Sequence, residues 1–253
     1  EIVRLMAVRG ADLNDISREM RRLLTRLPRH KRLSVSTEEY QAGKHRCFGT
    51  SNPEKMNVPF WMEMVRSGVN AYAAQSQFND TQSHDSPVWC FDRFGASINE
   101  LPDGRIIEIA GEHEDFYDPD FCIYNDIIVH QGDGTFDIYG YPQEIFPPMD
   151  NHSATLIGDA IYIVGGQGYA DSPGHTQVLR LNIHTLQMET LQTTGDKPGL
   201  IYAHRAILDN GHKIRITGGK IHTAQDGAEQ TEDNLDTYVL DLNTLVWTKQ
   251  EAP

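Results

Sequence analysis

An acidic segment near the middle of the chain holds the densest group of side chains that could do chemistry. Its oxygen and nitrogen atoms could bind a divalent cation, and its paired carboxylates could act as general acid and base. The candidate metal ligands are Glu112, His113, Asp115, Asp118 and Asp120. The order of ligands and glycine that defines an EF-hand loop is absent. The alternative interpretation is an acidic surface loop with a turn at Asp118 and Pro119.

Two histidines, His152 and His204, form a second candidate site. They stand at equivalent places in two copies of an internal repeat, so we expect them to point toward a common axis. Converging imidazoles could bind a metal or relay protons. The first copy has Phe94 at this place, which leaves the pair without a third matching ligand. The alternative is that the position favours a hydrogen-bonding ring packed at a strand corner.

The internal repeat is the strongest structural signal in the chain. The segment IYIVGG at 161–166 recurs as IRITGG at 214–219 and, more loosely, as IIEIAG at 106–111. In each copy this segment is the second strand of a hairpin. The turn that joins it to the first strand is rich in Gly, Asp or Asn, which supply the positive φ that a short hairpin requires. A period of roughly 50 residues built from strand-like pieces is typical of a propeller repeat.

Each copy contains four predicted strands, which is the content of one propeller blade. The third strands are predicted at 123–130, 177–181 and 237–242, and the fourth strands carry one apolar anchor each. The anchors are Phe136, Met188 and Trp247. The fold class predicted is therefore mainly β, with three four-stranded β-propeller blades that follow an N-terminal α-helical region.

This pattern resembles the kelch repeat over about residues 90–253. The first copy departs from it, with Glu112 in place of the second glycine and Phe136 in place of tryptophan. The resemblance depends on Gly165-Gly166, Gly218-Gly219, Tyr124-Asn125-Asp126, Tyr238 and Trp247.

The resemblance implies a binding face made from two sets of loops. One set follows the glycine pairs and the other precedes the first strand of each blade. The expected face consists of Glu112, His113, Gln167 and Lys220 from the first set, and Arg93, His152, His204 and Arg205 from the second. The function expected is a protein-interaction or ligand-binding module that needs no cofactor. The alternative is a metal-dependent enzyme that uses His152, His204 and the acidic 112–120 loop.

Composition restricts the classes of partner and the cellular location that we expect. The formal net charge is −14, which argues against nucleic acid as the main partner. No apolar stretch approaches the roughly 20 residues of a membrane helix. Three unevenly spaced cysteines argue against a disulfide scaffold, so a cytoplasmic location is expected.

The N-terminal region, residues 1–86, is predicted to be helical and to end in a linker. One amphipathic helix is expected from Leu13 to Leu27 and a second from Pro59 to Gln75, with Asn57 as its N-cap. Residues 29–55 are predicted to be irregular. The remaining domain, 87–253, is divided into blades at 87–148, 149–200 and 201–253.

Three blades do not close a ring of four to eight blades. The ring could be closed by a second copy of the chain, by further blades in a longer chain, or by the N-terminal helices covering one end. A homo-oligomer is the expectation, since two-fold assembly is the commonest arrangement.

Overall fold

Short helices occupy the N-terminal part of the protein. The computed structural model describes residues 18–27, 32–80, 87–113, 122–169, 175–225 and 228–250, and the chain divides into two units at 1–141 and 142–253. The helices in the described residues are α1 (Arg18–Thr25), α2 (Thr37–Gly43), α3 (Pro59–Ser67) and α4 (Ala71–Gln77). The predicted start of the first helix lies outside the described residues.

The second predicted helix is two helices, because Gly68 ends the first of them. Gly68 has φ +63°, and its N–H donates to the carbonyl of Met64 at 2.8 Å. Such a left-handed C-cap terminates α3. Asn70 then caps α4 by accepting from Ala73 N at 2.9 Å. The residue before α3 is Val58, so the expected N-cap at Asn57 is wrong, although Pro59 opens the helix as predicted.

Helix α2 lies in the segment that was predicted to be irregular. Ser36 Oγ accepts from Glu39 N at 3.1 Å, and Glu39 Oε2 accepts from Ser36 N at 2.8 Å. This reciprocal capping box satisfies two main-chain donors that a helix start leaves open. The Ser-x-x-Glu spacing was therefore a sequence signal for α2.

The blades are antiparallel meanders with the strand order expected of the repeat. Blade 1 contains β2 (Ser97–Glu100), β3 (Ile106–Ile109), β6 (Asp126–His130) and β7 (Phe136–Gly140). Blade 2 contains β8 (Ser153–Ile157), β9 (Ala160–Val164), β10 (Val178–Asn182) and β11 (Met188–Thr190). Blade 3 contains β14 (Arg205–Asp209), β15 (Lys213–Thr217), β18 (Thr237–Asp241) and β19 (Val246–Gln250). The mainly β fold with four-stranded blades is confirmed.

The remaining strands extend the blades or lie beside them. At the fourth strands, β1 (Glu54–Lys55) pairs with β7, and β12 (Thr194–Gly195) pairs in parallel with β19. Between second and third strands, β4 (Glu112–His113) and β5 (Cys122–Ile123) form a hairpin. A separate sheet has the order β13 (Leu200–Tyr202), β16 (Lys220–Gln225), β17 (Ala228–Asp233). The strand predicted at 123–130 is thus divided between β5 and β6.

The strand register confirms the fourth-strand anchors. Phe136 lies opposite His130 in blade 1, and Trp247 lies opposite Leu240 in blade 3. In blade 2, Met188 lies opposite Leu181. All three anchors are buried. They occupy equivalent register positions, so a large apolar side chain stands at the same point on the same face of each blade.

The N-terminal helices cover one face of blade 1. Phe136 and Ile138 of β7 belong to the same buried cluster as Phe60, Trp61 and Met64 of α3. The indole rings of Trp61 and Trp89 are stacked with centroids 4.9 Å apart. Helix α1 adds Leu24, which packs with Ile98 and Ile106. Within this unit the helices and blade 1 share a hydrophobic core.

In the second unit, blade 3 uses the equivalent face to pack against blade 2. Val164 and Val178 of blade 2 lie in one buried cluster with residues from β15, β18 and β19 of blade 3, and the partly buried Ala206 of β14 packs against it. The cluster includes Ile214, Ile216, Tyr238, Leu240 and Trp247. The opposite face of blade 3, called here the open face, includes Arg205, Ile207, Arg215, Val246 and Thr248. Along β15 and β19 burial alternates, so these two strands are buried on one face only, while on the open face Val239 of β18 is also buried.

Among the described helices, none is long and apolar enough to cross a membrane.

Candidate functional site

A short main-chain bridge recurs at one end of every blade. In blade 1, Phe94 N donates to Glu112 O at 2.7 Å and Glu112 N donates back at 2.9 Å. Asp150 and Gln167 make the same reciprocal pair in blade 2 at 2.9 and 3.0 Å. In blade 3, Tyr202 lies opposite Lys220. In each blade, a residue in the segment before the first strand therefore pairs with a residue in the segment after the second strand. We call this end of the blade the loop end.

The bridge corrects two details of the repeat register. Gly111, with φ +93°, is the second glycine of blade 1, and Ala110, with φ +54°, occupies the position of the first. Glu112 was wrongly placed at the second glycine. A Cβ built on Gly111 would lie 2.7 Å from the Cβ of Ala96. The corresponding neighbours of Gly166 and Gly219 are His152 and His204, so Ala96, not Phe94, occupies the histidine position in blade 1.

His152 and His204 are buried neutral rings. Burial, together with the charge of His204, lowers the pKa of His152 to about 3, and burial lowers the pKa of His204 to about 4. The Nε2 atom of His204 lies 2.8 Å from Ser153 Oγ, which joins the blade 3 corner to the first strand of blade 2. This arrangement stabilises the blade corners, as the alternative interpretation of the pair expected.

Asp150 is a buried carboxyl that sequence reasoning missed. Burial raises its pKa to about 6. Its Oδ2 atom accepts from Asn151 Nδ2 at 2.7 Å and from Gln167 Nε2 at 3.2 Å, while Oδ1 has no hydrogen-bond partner among the described residues. The equivalent positions hold Phe94 and Tyr202, so the repeat pattern contains no signal for an acid here.

A shallow pocket lies at the loop end of blade 2. Gln167 contributes to its wall, and His175 lies at its rim. The other lining residues are Pro147, Pro148, Met149, Gly165, Gly166, Gly168, Gln177 and Leu200. Close approach requires the glycine at 165, because a Cβ there would lie 2.2 Å from the carbonyl oxygen of Ile201.

Arg93 serves the interior of the first unit and does not face solvent. Its guanidinium forms a buried ion pair with Asp126, and Nε donates to Cys90 O at 2.9 Å. The guanidinium also lies over the rings of Tyr124, at 3.5 Å from the centroid, and Trp89, at 4.9 Å. Such pairing and ring contact compensate for removing a charge from water. We therefore leave Arg93 out of the proposed binding face.

His113 is also an interior residue. Its Nδ1 atom lies 2.9 Å from Tyr124 Oη, and that hydroxyl accepts from Cys90 N at 2.8 Å. Burial raises the pKa of the Tyr124 phenol well above its usual value, so the phenol is protonated. Glu112 is half-buried beside it on β4. Asp115, Asp118 and Asp120 lie outside the described residues, and no group of three possible metal ligands occurs within those that the structure describes.

The loop end of the second unit presents exposed side chains of mixed character. Lys220 and Arg205 are exposed there, and Gln167 and Tyr202 are half-buried. Leu235, on the segment that follows β17, is 79% exposed. Leu235 was not expected from the sequence, because nothing in the repeat pattern distinguishes it from a loop residue.

Comparison with known families found a match to the KLHDC2/KLHL20/DRC7 Kelch-repeats domain over residues 147–253. The matched segment is less than half of the chain and contains blades 2 and 3. A comparison with curated proteins found no match. The matched segment has the glycine pairs at positive φ, the four-stranded meanders and the buried Trp247 anchor. Residues 147–253 are therefore similar to Kelch repeats in both sequence and strand arrangement.

Proposed function

We propose that this protein is a protein-binding module and that the partner contacts the loop end of blades 2 and 3. The contact residues would be Leu235, Lys220, Arg205 and Gln167. The proposal needs no cofactor. His152 and His204 are buried and contribute to the fold of this end.

The observation that supports this proposal most directly is the match of residues 147–253 to a Kelch-repeats domain, a segment that includes the loop end and the exposed Leu235. A single exposed leucine is common on protein surfaces, so the case for a contact here depends on its position in a segment that matches kelch repeats. The bridge between Tyr202 and Lys220 holds the start of β16 at the same end. The main chain beneath the surface is therefore fixed, and a partner would bind side chains on an ordered scaffold.

Affinity capture with a matched set of variants tests the proposal. The tagged full chain would be used to capture proteins from the cells that produce it, followed by quantitative mass spectrometry. Leu235→Asp and Lys220→Glu should each reduce recovery of the same partner. Lys213→Glu is the control, since Lys213 lies at the opposite end of the β14–β15 pair from Arg205.

The outcome that would contradict the proposal is equally clear. If Leu235→Asp and Lys220→Glu recover the partner as well as the unaltered chain does, the loop end is not the binding surface. Circular dichroism of each variant checks that a loss does not come from unfolding. Both positions are exposed, so we expect unfolding free energies within about 0.5 kcal/mol of the unaltered chain.

We also propose that the chain self-associates through the open face of blade 3. Ile207 on this face is 54% exposed and Val246 is 36% exposed, while Arg215 and Asp209 form an ion pair of 2.5 Å beside them. A two-fold contact would bury the apolar side chains of both copies. In blade 1, helices cover the face that corresponds to the buried face of blade 3. This arrangement argues against a simple six-bladed ring.

Light scattering tests self-association. The unaltered chain should exceed the monomer mass of 28.6 kDa. Ile207→Glu should return it to that mass, and Leu235→Asp, at the loop end, should not. A monomer at all concentrations would contradict the proposal.

A cytoplasmic location is part of the proposed function. Cys47, Cys90 and Cys122 are all free thiols, of which Cys47 is exposed. Free thiols persist in a reducing compartment. Imaging of the full-length protein fused to a fluorescent marker would test the location.

A further inference from the structure

The β16–β17 hairpin follows Gly218-Gly219, and its second strand, β17, is an edge strand. In the sheet order β13, β16, β17, the last strand lies at the edge, paired on one side within the described residues. It is six residues long and contains neither proline nor lysine, which are residues that proteins often place on edges to block further pairing. The side chains at 230–233 are all exposed. This edge is open to another strand.

The register shows which main-chain groups face outward. Asn234 N donates to Gly219 O at 2.9 Å, so this pair is a hydrogen-bonded pair of the ladder. Hydrogen-bonded and non-hydrogen-bonded pairs alternate in antiparallel sheets. Glu232, opposite Ile221, therefore bonds to β16, while Thr231 and Asp233 direct their N–H and C=O groups away from it. An incoming strand would find those groups available at every second residue.

Charge restricts what can pair with this edge. Between Lys220 and Asp236 the sequence has five acidic residues and one basic residue. Three of the acids, Glu229, Glu232 and Asp233, belong to β17. Two copies of such a strand would repel one another, since like charges on facing strands destabilise pairing. A basic segment would be attracted.

We propose that the outer edge of β17 binds an extended basic segment of a partner protein as an added strand. Main-chain bonds from Thr231 and Asp233 supply the pairing, and the exposed carboxylates of Glu232 and Asp233 select lysine or arginine in the partner. This inference rests on the proposed protein-binding function. It adds the chemistry of the partner and a second contact surface beside Leu235.

The test uses a defined peptide and the full chain. The probe is a fluorescein-labelled octapeptide of alternating lysine and threonine, titrated and followed by fluorescence anisotropy. We expect saturable binding that weakens as salt rises, because exposed charges are screened. An octapeptide of alternating glutamate and threonine should not bind. Absence of saturable binding by the basic peptide would overturn the inference.

Two further variants separate strand pairing from charge attraction alone. Thr231→Pro removes an outward N–H and leaves the bonds of Glu232 to β16 intact, since proline is tolerated where its nitrogen faces away from the sheet. It should weaken binding about tenfold or more. Thr231→Ala is the matched control, because both changes remove the 3.3 Å contact of Thr231 Oγ1 with His222 Nδ1. Thr231→Ala should bind as the unaltered chain does.

A peptide with N-methyl groups at alternate residues keeps the charge and loses the main-chain donors. Equal binding of this peptide, or of the Thr231→Pro variant, would show that charge alone is responsible and would overturn strand addition. Leu235 is not on the edge, so the capture experiment with Leu235→Asp gives an independent result. A chain that loses its partner through Leu235→Asp yet ignores the basic peptide would disprove only the strand-addition inference.

Discussion

Blade 1 and blade 3 have the same strand order and the same anchor position, but their surroundings differ. In blade 1 every residue of β3 and β6 is buried, and α1 and α3 cover one face. In blade 3, β15 and β19 are buried on one face only. The glycine pairs and turns set the shape of a blade. The elements packed against the blade determine which of its polar groups are buried and must be paired internally.

The contrast is clearest at one aspartate. Asp126 of blade 1 and Asp236 of blade 3 both stand immediately before the residue that pairs with the end of the second strand. Asp126 forms a buried pair with Arg93, whose side chain is 3% exposed. Asp236 pairs with Lys249 at 2.8 Å, and that lysine side chain is 41% exposed. The same repeat position thus contains an interior ion pair in one blade and a surface ion pair in the other.

Asp126→Ala should have the largest effect. It leaves the Arg93 charge buried without its partner, which costs about 3–5 kcal/mol of unfolding free energy. Asp236→Ala should cost less than about 1 kcal/mol, because water screens an exposed pair. Urea unfolding of both variants measures the difference. Equal losses would show that burial does not distinguish the two blades.

Trp247→Ala tests the anchor of blade 3. The indole is 1% exposed, and Nε1 donates to Thr193 Oγ1 at 3.2 Å. Truncation should lower the unfolding free energy by about 3–5 kcal/mol through lost burial and a cavity. Val246→Ala, at the neighbouring position on the open face, is the control and should cost much less. A loss below about 1 kcal/mol for Trp247→Ala would contradict the register.

Lowering the pH should destabilise blades 2 and 3 because of their buried corner histidines. Blade 1 has Ala96 at this position, so it lacks this effect. The unfolded His204 binds a proton below about pH 6.5 while the folded ring stays neutral down to about pH 4, so stability falls as pH drops across this interval. At pH 5 the loss is about 2 kcal/mol for this one histidine. Burial raises the pKa of Asp150 to about 6, which makes the folded carboxyl bind a proton in the same range and offsets part of the loss.

Chemical unfolding at pH 7 and pH 5 isolates the histidine contribution. In His204→Gln the decrease between the two pH values should be about 2 kcal/mol smaller than in the unaltered chain. Thr248→Ala, in the same blade, removes no titratable group and is the control, so it should leave the decrease unchanged. An identical pH dependence in all three proteins would contradict a buried neutral His204.

The smallest effect is expected at the first glycine of the blade 3 pair. Gly218 has φ +63°, and a Cβ there would meet no atom within 4 Å. Blade 1 already has Ala110 at this position with φ +54°. Gly218→Ala should therefore cost only about 1 kcal/mol of backbone strain.

Gly219→Ala is the matched variant for that comparison. Its Cβ would lie 2.5 Å from Tyr202 O and 2.8 Å from the Cβ of His204. Thermal unfolding should show a clearly larger loss for Gly219→Ala than for Gly218→Ala. The reverse order would mean that the contacts at the two glycines have been assigned the wrong way round.

Some errors of sequence interpretation had available signals and others had none. The capping box of Ser36 and Glu39 could have identified α2, and Gly68 could have divided the second predicted helix. The placement of Phe94 at the histidine position came from aligning aromatic corners instead of the glycine contacts. No local pattern could show that Arg93 is buried, because its partner Asp126 is 33 residues away.

The sequence by itself determined the repeat: the period, the turns, the glycine pairs and the fourth-strand anchors. These features depend on backbone conformation and on side-chain alternation over a few residues, which are local properties. Only the tertiary structure decided that helices cover one face of blade 1, that Arg93 and His113 lie inside, and that β17 ends its sheet. Burial depends on residues distant in the chain, and the pKa values and exposed surfaces follow from burial.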